Sequence, residues 1–398
     1  MNIVICRSRF ADNNIGERLI LCSILGKLNT YPDTKITVLS NTPELTKKIH
    51  GIPVADCSLL NYYQAISAIR SSDLVLWCGG NMLQEQFSYL HIPYAAKDIL
   101  LAKILGKKVF VYGVEVGPIV SRMGKFLARM ILRNTDIITV RNTQSYQEAN
   151  ALGAKNHQLL LTEDAVFSIS TEGLLDKNFL LEKFNLSGKK PMVGICPRIL
   201  FERRRSYLPF RFRMRFGLLS DDFYHKQQQV KDFMSRISRF LMDESNVQVI
   251  FLPMDISDEA YCDEIIEAAG KDCIKITLSS MDLREVTSLF SIMDLVISMR
   301  LHGLILASCF AIPVISISGV TKNVNFLSKL GCEENSIDIE DLSIGKFKEV
   351  FNHLWPNLSI CKQKMQTILT AMRREEEKNF IILRDFLKRI FSSTNDKR

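Results

Sequence analysis

Ten cysteines are spread over the 398 residues without one C-x-x-C pair, which argues against a zinc ribbon or a thioredoxin-type redox centre. Most stand in apolar runs, as Cys6 behind Val4 and Ile5 or Cys309 before Phe310, and read as small reduced core residues. Low-complexity tracts and short-period repeats are lacking as well. With 19 Gly, 11 Pro, 47% hydrophobic and 24% charged residues the composition is that of an ordinary globular chain, which excludes disorder and collagen-like structure. No secretory h-region opens the sequence: the apolar run at 3–6 is too short, no basic region precedes it, and Arg7 and Arg9 interrupt it, so the expected compartment is the cytoplasm. Residues 301–321 carry no Asp, Glu, Lys or Arg for 21 positions, a length that spans a bilayer. His302-Gly303 open that stretch, Pro313 breaks it and residues 314–318 alternate, so it reads as buried helix, turn and buried strand.

The formal charge of +8 sits in two short stretches: residues 202–215 hold six Arg against Glu202, and residues 373–398 hold eight basic against five acidic residues. The remainder is neutral. A nucleic-acid-binding domain spreads its basic face over the folded surface, so this concentration points away from nucleic acid and toward a local anionic partner, a phospholipid headgroup or a phosphorylated substrate.

The length leaves room for two or three domains. Short Val/Ile-rich runs at 2–6, 36–39, 74–77, 109–112 and 137–140 alternate with helical patterns at 17–28, 62–69, 94–105 and 125–132, the mark of parallel strands buried on both faces. The rhythm restarts after a polar stretch, with strands at 192–195, 247–251, 295–297 and 314–318 and a helix at 226–242. The expected architecture is α/β, with two Rossmann-like parallel-sheet domains at 1–170 and 191–360 joined by a linker at 171–190. Phe380, Leu383, Leu387 and Ile390 at helical spacing predict an amphipathic C-terminal helix within 361–398, expected to pack back on the first domain.

Parallel sheets bind ligands beyond the carboxyl ends of their strands. Those ends carry Asn14, Gly16 and Glu17 in the first polar loop, Gly79-Gly80-Asn81 after the third strand, and Glu115 after the fourth. The strongest local signal is Arg300-Leu301-His302-Gly303, where a buried strand runs into a permanent cation and a titratable imidazole, a costly placement unless an anion meets them. Lys322 follows the next strand, and Arg141 and Arg198 close two others. Four cations at strand ends suggest a small, multiply charged anion.

These residues resemble the polysaccharide pyruvyl transferases. The resemblance runs through N-N-I-G-E at 13–17, C-G-G-N-M-L-Q at 78–84, Y-G-V-E-V-G-P-I at 112–119, T-V-R-N at 139–142, L-P-M at 252–254 and M-R-L-H-G at 299–303 followed by Lys322. Ser8, Glu17, Gly303 and the loop ahead of Lys322 depart from the family pattern, Gly303 standing where Ala is usual. The resemblance implies a GT-B-like fold and transfer of pyruvate from phosphoenolpyruvate to a sugar of a bacterial cell-surface polysaccharide, or its lipid-linked precursor, as a cyclic ketal with release of phosphate. It further implies functional roles for Arg300, His302 and Lys322, and for Arg141.

That chemistry suits the residues. A donor with a phosphate and a carboxylate needs several fixed cations, and one group titrating near neutrality serves first as acid and then as base. His302 is the expected acid/base, Arg300 and Lys322 grip the donor, and Arg141 or Arg198 serves as a secondary clamp. No step demands a metal or cofactor, and Asp221, Asp222, Asp255 and Asp258 read as solvated or helix-capping acids.

The insert at 201–216 interleaves six Arg with Phe201, Tyr207, Phe210, Phe212 and Phe216. Two readings stand: a loop in the headgroup region at the inner face of an anionic membrane, suited to a lipid-linked oligosaccharide acceptor, or a solvated loop with buried aromatics. Two other functions also stay open, a GT-B glycosyltransferase with a nucleotide-sugar donor and a non-catalytic carbohydrate-binding relative.

Overall fold

The structure, a computed structural model, describes residues 1–6, 14–31, 34–86, 88–200, 202, 206–208 and 210–395, without the side chains of 211, 391 and 393–395. Arg7, Ser8, Arg9 and Asn13 of the opening loop, Phe201 and Arg203 to Arg205 of the insert, and the Arg211 side chain lie outside the described residues.

Two parallel sheets form the frame. The first contains β1 (Asn2–Cys6), β2 (Lys35–Ser40), β3 (Val54–Asp56), β4 (Leu74–Leu83), β5 (Lys108–Val116), β6 (Ile137–Val140) and β7 (Leu159–Leu161), in the order β3-β2-β1-β4-β5-β6-β7. The second contains β8 (Met192–Cys196), β9 (Gln248–Phe251), β10 (Ile274–Lys275), β11 (Leu295–Ser298), β12 (Val314–Ile317) and β13 (Ser336–Ile337), in the order β10-β9-β8-β11-β12-β13. Strand order reverses between β1 and β4 and again between β8 and β11, and a crevice opens at such a point because the following helices leave on opposite faces. The Val/Ile-rich strands are buried on both sides, as all four residues of β11 and of β12 are.

Two strands run further than their apolar cores predict. β4 continues through Cys78-Gly79-Gly80-Asn81 to Leu83, and β5 through Gly113 to Val116, so these segments are strand and not loop. They stay paired because Gly79, Gly80 and Gly113 take positive φ, letting the backbone kink without leaving the ladder, and the β4–β5 register slips between Asn81 and Leu83. The short strands β3, β7, β10 and β13, of two or three residues, carry no readable periodicity. The stretch 171–190 includes a helix, Lys177–Lys183, capped by Asp176.

The two sheets meet at the front of the first helix, Ile15–Leu28. Ile15 N donates to Met254 O at 2.9 Å, and Asn14 Nδ2 to Asp255 Oδ2 at 2.8 Å. Arg18, 2% exposed, donates from its guanidinium to the carbonyls of Ser279 (3.2 Å) and Met281 (2.6 Å) in the second domain. A buried cation sealed by backbone carbonyls is a structural clamp.

The C-terminal helix, Leu358–Asn395, lies against the first domain. Leu383 and Leu387 are buried, Phe386 meets Phe110 with ring centroids 6.0 Å apart, and Asn379 joins Thr162 Oγ1 (2.8 Å) and Glu163 O (2.9 Å). Glu376, 1% exposed, accepts from Lys27 Nζ at 2.8 Å and Tyr112 OH at 3.1 Å, and burial pushes its carboxyl up to about 7. No described helix is long and apolar enough to cross a membrane.

Candidate active site

Arg300 and His302 follow β11 directly: Arg300 is the residue before the helix Leu301–Cys309, and His302 lies in that helix's first turn. Lys322 repeats the arrangement one strand along, in the first turn of the helix Thr321–Lys329 that follows β12. His302 and Lys322 are helical residues, not loop residues, so the unpaired N–H groups of both helix starts face the same space. Gly303 packs tightly: a β-carbon there would stand 2.5 Å from Ser298 Oγ, which accounts for glycine where the resembled family carries alanine.

A cavity of about 150 Å³ lies between the domains, lined by Asn14, Gly16, Glu17, Gly80, Asn81, Arg141, Arg198, Arg300, His302 and Lys322 together with Met254 and Leu301. Glu115 stands just behind, against Arg141. Gly79 is not among the lining residues. Its Cα faces Ile20, with a would-be β-carbon 2.6 Å from Cγ2, so it seats β4 on the first helix. Asn81, which lines this space, keeps a buried Oδ1 with no hydrogen-bond partner among the described residues, an unspent acceptor beside the cavity.

Carboxylates that the sequence hides determine how these cations are held. Arg141, 4% exposed, pairs with Asp164 through one guanidinium nitrogen and with Glu115 through another. Burial opposes ionisation of both acids, but the Arg141 charge holds their carboxyls below the usual range. Arg300 forks onto Asp258 Oδ2, with Nε at 2.8 Å and a terminal nitrogen at 2.6 Å. Asp258 is fully buried, 0% exposed, and burial pushes its carboxyl up despite Arg300. It is therefore no solvated acid, whereas Asp255 does cap a turn, accepting from Ser257 N at 3.0 Å. Asp221 and Asp222 are exposed in the first turn of the helix Asp221–Asp243. Among the described residues no group of three or more His, Cys, Asp and Glu is arranged to hold a metal ion.

Arg198 and Lys322 carry the remaining charge. Burial, and then the positive field of Arg300, pulls the Arg198 guanidinium down to about 9. Burial also pulls the Lys322 ammonium down to about 8; Glu115 resists, and Arg198, Arg141 and Arg300 add to the fall. Lys322 makes no hydrogen bond or ion pair among the described residues. Cations held in such a field are relieved by an anion.

His302 stands at the junction. Its Nε2 is 3.8 Å from Asp164 Oδ2, the oxygen that Arg141 also contacts. A protonated imidazole at that distance is stabilised by the carboxylate, and a neutral one is not held by a direct hydrogen bond to it. Arg198 also borders a second, larger cavity of about 350 Å³, where Gln86 and Pro118 of the first domain face Leu200, Asp222, Phe223 and Lys226 of the second. The pattern of cations at strand ends pointed to the first cavity; nothing in the sequence pointed to the second.

A family model described as polysaccharide pyruvyl transferase matches residues 14–319. No curated protein sequence matches the chain. Among solved structures, UDP-GlcNAc 2-epimerase from Neisseria meningitidis bound to UDP-GlcNAc superposes with a TM-score of 0.63 at 10% identity, covering 98% of this chain and 100% of that one. Anabaena HepE in complex with UDP and glucose superposes with a TM-score of 0.58 at 11% identity, covering 97% and 99%. The UDP-GlcNAc 2-epimerase of Methanocaldococcus jannaschii gives 0.55 at 11%, covering 88% and 91%. At such identities the likeness establishes a GT-B-like fold and no more.

Proposed function

This chain belongs to the polysaccharide pyruvyl transferase family, and from that premise we propose that it transfers pyruvate from phosphoenolpyruvate onto a sugar of a bacterial surface polysaccharide or its lipid-linked precursor, forming a cyclic ketal. The observation that carries this reading is the charge balance of the smaller cavity: Arg141 and Arg300 are held by carboxylates, while Lys322, with its pKa lowered to about 8, keeps no such partner among the described residues. A small dianion or trianion supplies what that site lacks.

In this reading Lys322 and Arg198 grip the phosphate and carboxylate of the donor, with Arg300 and the buried Arg141 beside them. Protonated His302 gives its proton to the methylene carbon, which becomes the methyl group and leaves an oxocarbenium-like centre at C2. Asp164 steadies the imidazolium before the transfer. One sugar hydroxyl adds to C2 and returns a proton to His302. The bond from C2 to the phosphate oxygen then breaks, phosphate leaves with that proton, and a second hydroxyl closes the ketal. Of the two hydroxyl protons, one replaces the proton spent on the methyl carbon and the other leaves with phosphate, so the step balances. The larger cavity beyond Arg198 is where the acceptor sugar sits, with Phe223 as an apolar face and Asp222 and Lys226 for its hydroxyls.

The test is donor choice. Labelled phosphoenolpyruvate incubated with the protein and a panel of lipid-linked and free glycans is expected to pass its three-carbon label to one of them with stoichiometric phosphate. Label arriving from a UDP-sugar instead would move the chain to the glycosyltransferases, and binding of glycan with no transfer from either donor would make it a non-catalytic relative.

A further inference from the structure

The helix Arg122–Asn134 has an apolar face wider than its own domain covers. Gly124, Ala128, Ile131 and Leu132 face the core and are buried. Met123 and Phe126 carry the apolar face past the core, with Phe126 60% and Met123 46% exposed and Met130 half-buried beside them, while Leu127 packs against the core. Arg122, Lys125, Arg129 and Arg133 flank this exposed stripe on the side away from the core, and none forms an ion pair among the described residues. No Asp or Glu occurs between residues 116 and 135.

A rigid support lies beneath. Glu85, fully buried, accepts from the backbone of Val120 at 2.9 Å and of Ser121 at 2.7 Å, and Gly124 leaves room for its carboxylate, since a β-carbon would stand 2.2 Å from Oε1. The exposed stripe is therefore a fixed feature of the first domain.

The second domain presents the same chemistry next to it. Tyr207, Phe212 and Phe216 are exposed, Arg215 stands among them, and no acid occurs between 203 and 220. Ser88 and Ser206 form a β-bridge, and Tyr89 meets Tyr207 with ring centroids 5.0 Å apart, which ties this insert to the segment leading into the helix His91–Ile104; that helix packs against Arg122–Asn134. Both basic, apolar faces leave from the rim of the larger cavity: Pro118 lines it two residues before exposed Val120, and Glu202 and Ser220 line it at the two ends of the insert.

We propose that the helix Arg122–Asn134 and the exposed Tyr207, Phe212, Arg215 and Phe216 form one face that rests on an anionic phospholipid bilayer, with the larger cavity opening beside it. Charge complementarity selects this occupant: aromatic and aliphatic side chains enter the headgroup boundary while Arg and Lys meet anionic headgroups. An acceptor anchored in the same bilayer then reaches the cavity without leaving the membrane. The inference rests on the anchored-acceptor part of the reading above, and it is tested without donor or acceptor, so its failure would leave pyruvyl transfer untouched.

The measurement is co-sedimentation of the full chain with vesicles of phosphatidylcholine alone and of phosphatidylcholine with about one third phosphatidylglycerol. Binding is expected to the anionic vesicles only, and to weaken as salt rises. Lys125→Glu with Arg129→Glu, and separately Met123→Ser with Phe126→Ser, are each expected to lower the partition by at least about tenfold, with melting temperature unchanged. Equal binding to neutral vesicles, or no binding by the parent protein, overturns the proposal. So does binding that survives both helix variants and is lost only on Phe212→Ser with Phe216→Ser, which assigns the contact to the insert alone. Loss of self-association in sedimentation, without vesicle binding, would assign the face to a second copy of the chain.

Discussion

The imidazole of His302 lies directly against the Cα of Gly16: a β-carbon at residue 16 would stand 2.2 Å from Nδ1 and 2.4 Å from Cγ. Gly16 and Glu17 stand in the first turn of the helix Ile15–Leu28 and not in the polar loop that the sequence suggests, so a helix start of one domain sets the ring orientation of a residue in the other. Gly16→Ala must push the ring away, at an overpacking cost of about 1–3 kcal/mol. The expected result is a modest fall in melting temperature with a disproportionate fall in kcat, and a variant with normal kcat would show that ring position is unimportant.

Replacing His302 itself separates catalysis from binding. His302→Ala is expected to lower turnover by roughly 100-fold or more, the contribution typical of a positioned acid/base, while phosphoenolpyruvate affinity by calorimetry stays near the parent value. Retained turnover would remove His302 from the chemistry.

Lys322 confers a pH dependence on donor binding. Burial pulls its ammonium down to about 8, so it is charged below that pH and loses its grip on the anion above it. Phosphoenolpyruvate affinity is expected to weaken as pH rises past about 8, with proton uptake on binding detectable by calorimetry in buffers of different ionisation enthalpy. Lys322→Met should bind more weakly by about 1.5–3 kcal/mol and lose that uptake. Arg300→Ala is a poorer probe of donor contact, because it strands buried Asp258 without its partner.

Glu376 predicts stability that falls with pH over a defined window. Its carboxyl is raised from the ordinary 4.5 to about 7 in the fold, so the native state holds the proton more tightly than the unfolded chain. Stability is then fully present below about 4.5, declines as pH rises to about 7, and levels off above, a loss of at most about 3 kcal/mol. Glu376→Gln should match the parent at about pH 4.5 and melt higher at about pH 8. Parallel melting curves for the two proteins across that range would sink the assignment.

Within the insert the arginines differ in kind. Arg213 is 5% exposed and pairs with Glu202, which also accepts from Ser220 N at 3.0 Å, so it does not face outward with Arg215. Arg213→Gln should therefore cost stability on the scale of a broken buried pair, up to about 3–5 kcal/mol, while Arg215→Gln stays within about 0.5 kcal/mol. Thermal melts of the two single variants decide it.

What a sequence discloses of such a site depends on how local the signal is. The strand β11 running into Arg300 and His302, and the Lys after β12, are contiguous patterns and can be read directly. The partners are not contiguous: Asp258 lies 42 residues from Arg300 and Asp164 lies 23 from Arg141, and an acid written in a polar stretch looks the same whether solvated or buried. Gly79 and Gly80 read as a loop because glycine usually ends strands; here the neighbouring strand continues, and backbone pairing outweighs local propensity. The exposed stripe of Met123 and Phe126 is hidden differently, since apolar residues at helical spacing imply a core wherever their own domain supplies one.

The chain passes between the domains twice, through residues 171–190 and again when the C-terminal helix crosses back, bonded to Cys309 O by Arg373 at 2.8 Å and to the first domain by Glu376 and Asn379. The buried Arg18 clamp is a third tie between the same two bodies. Sliding or twisting one sheet over the other strains the linker, the C-terminal helix and that clamp together, so the frame as a whole holds Gly16 and His302 at their close spacing across the cleft.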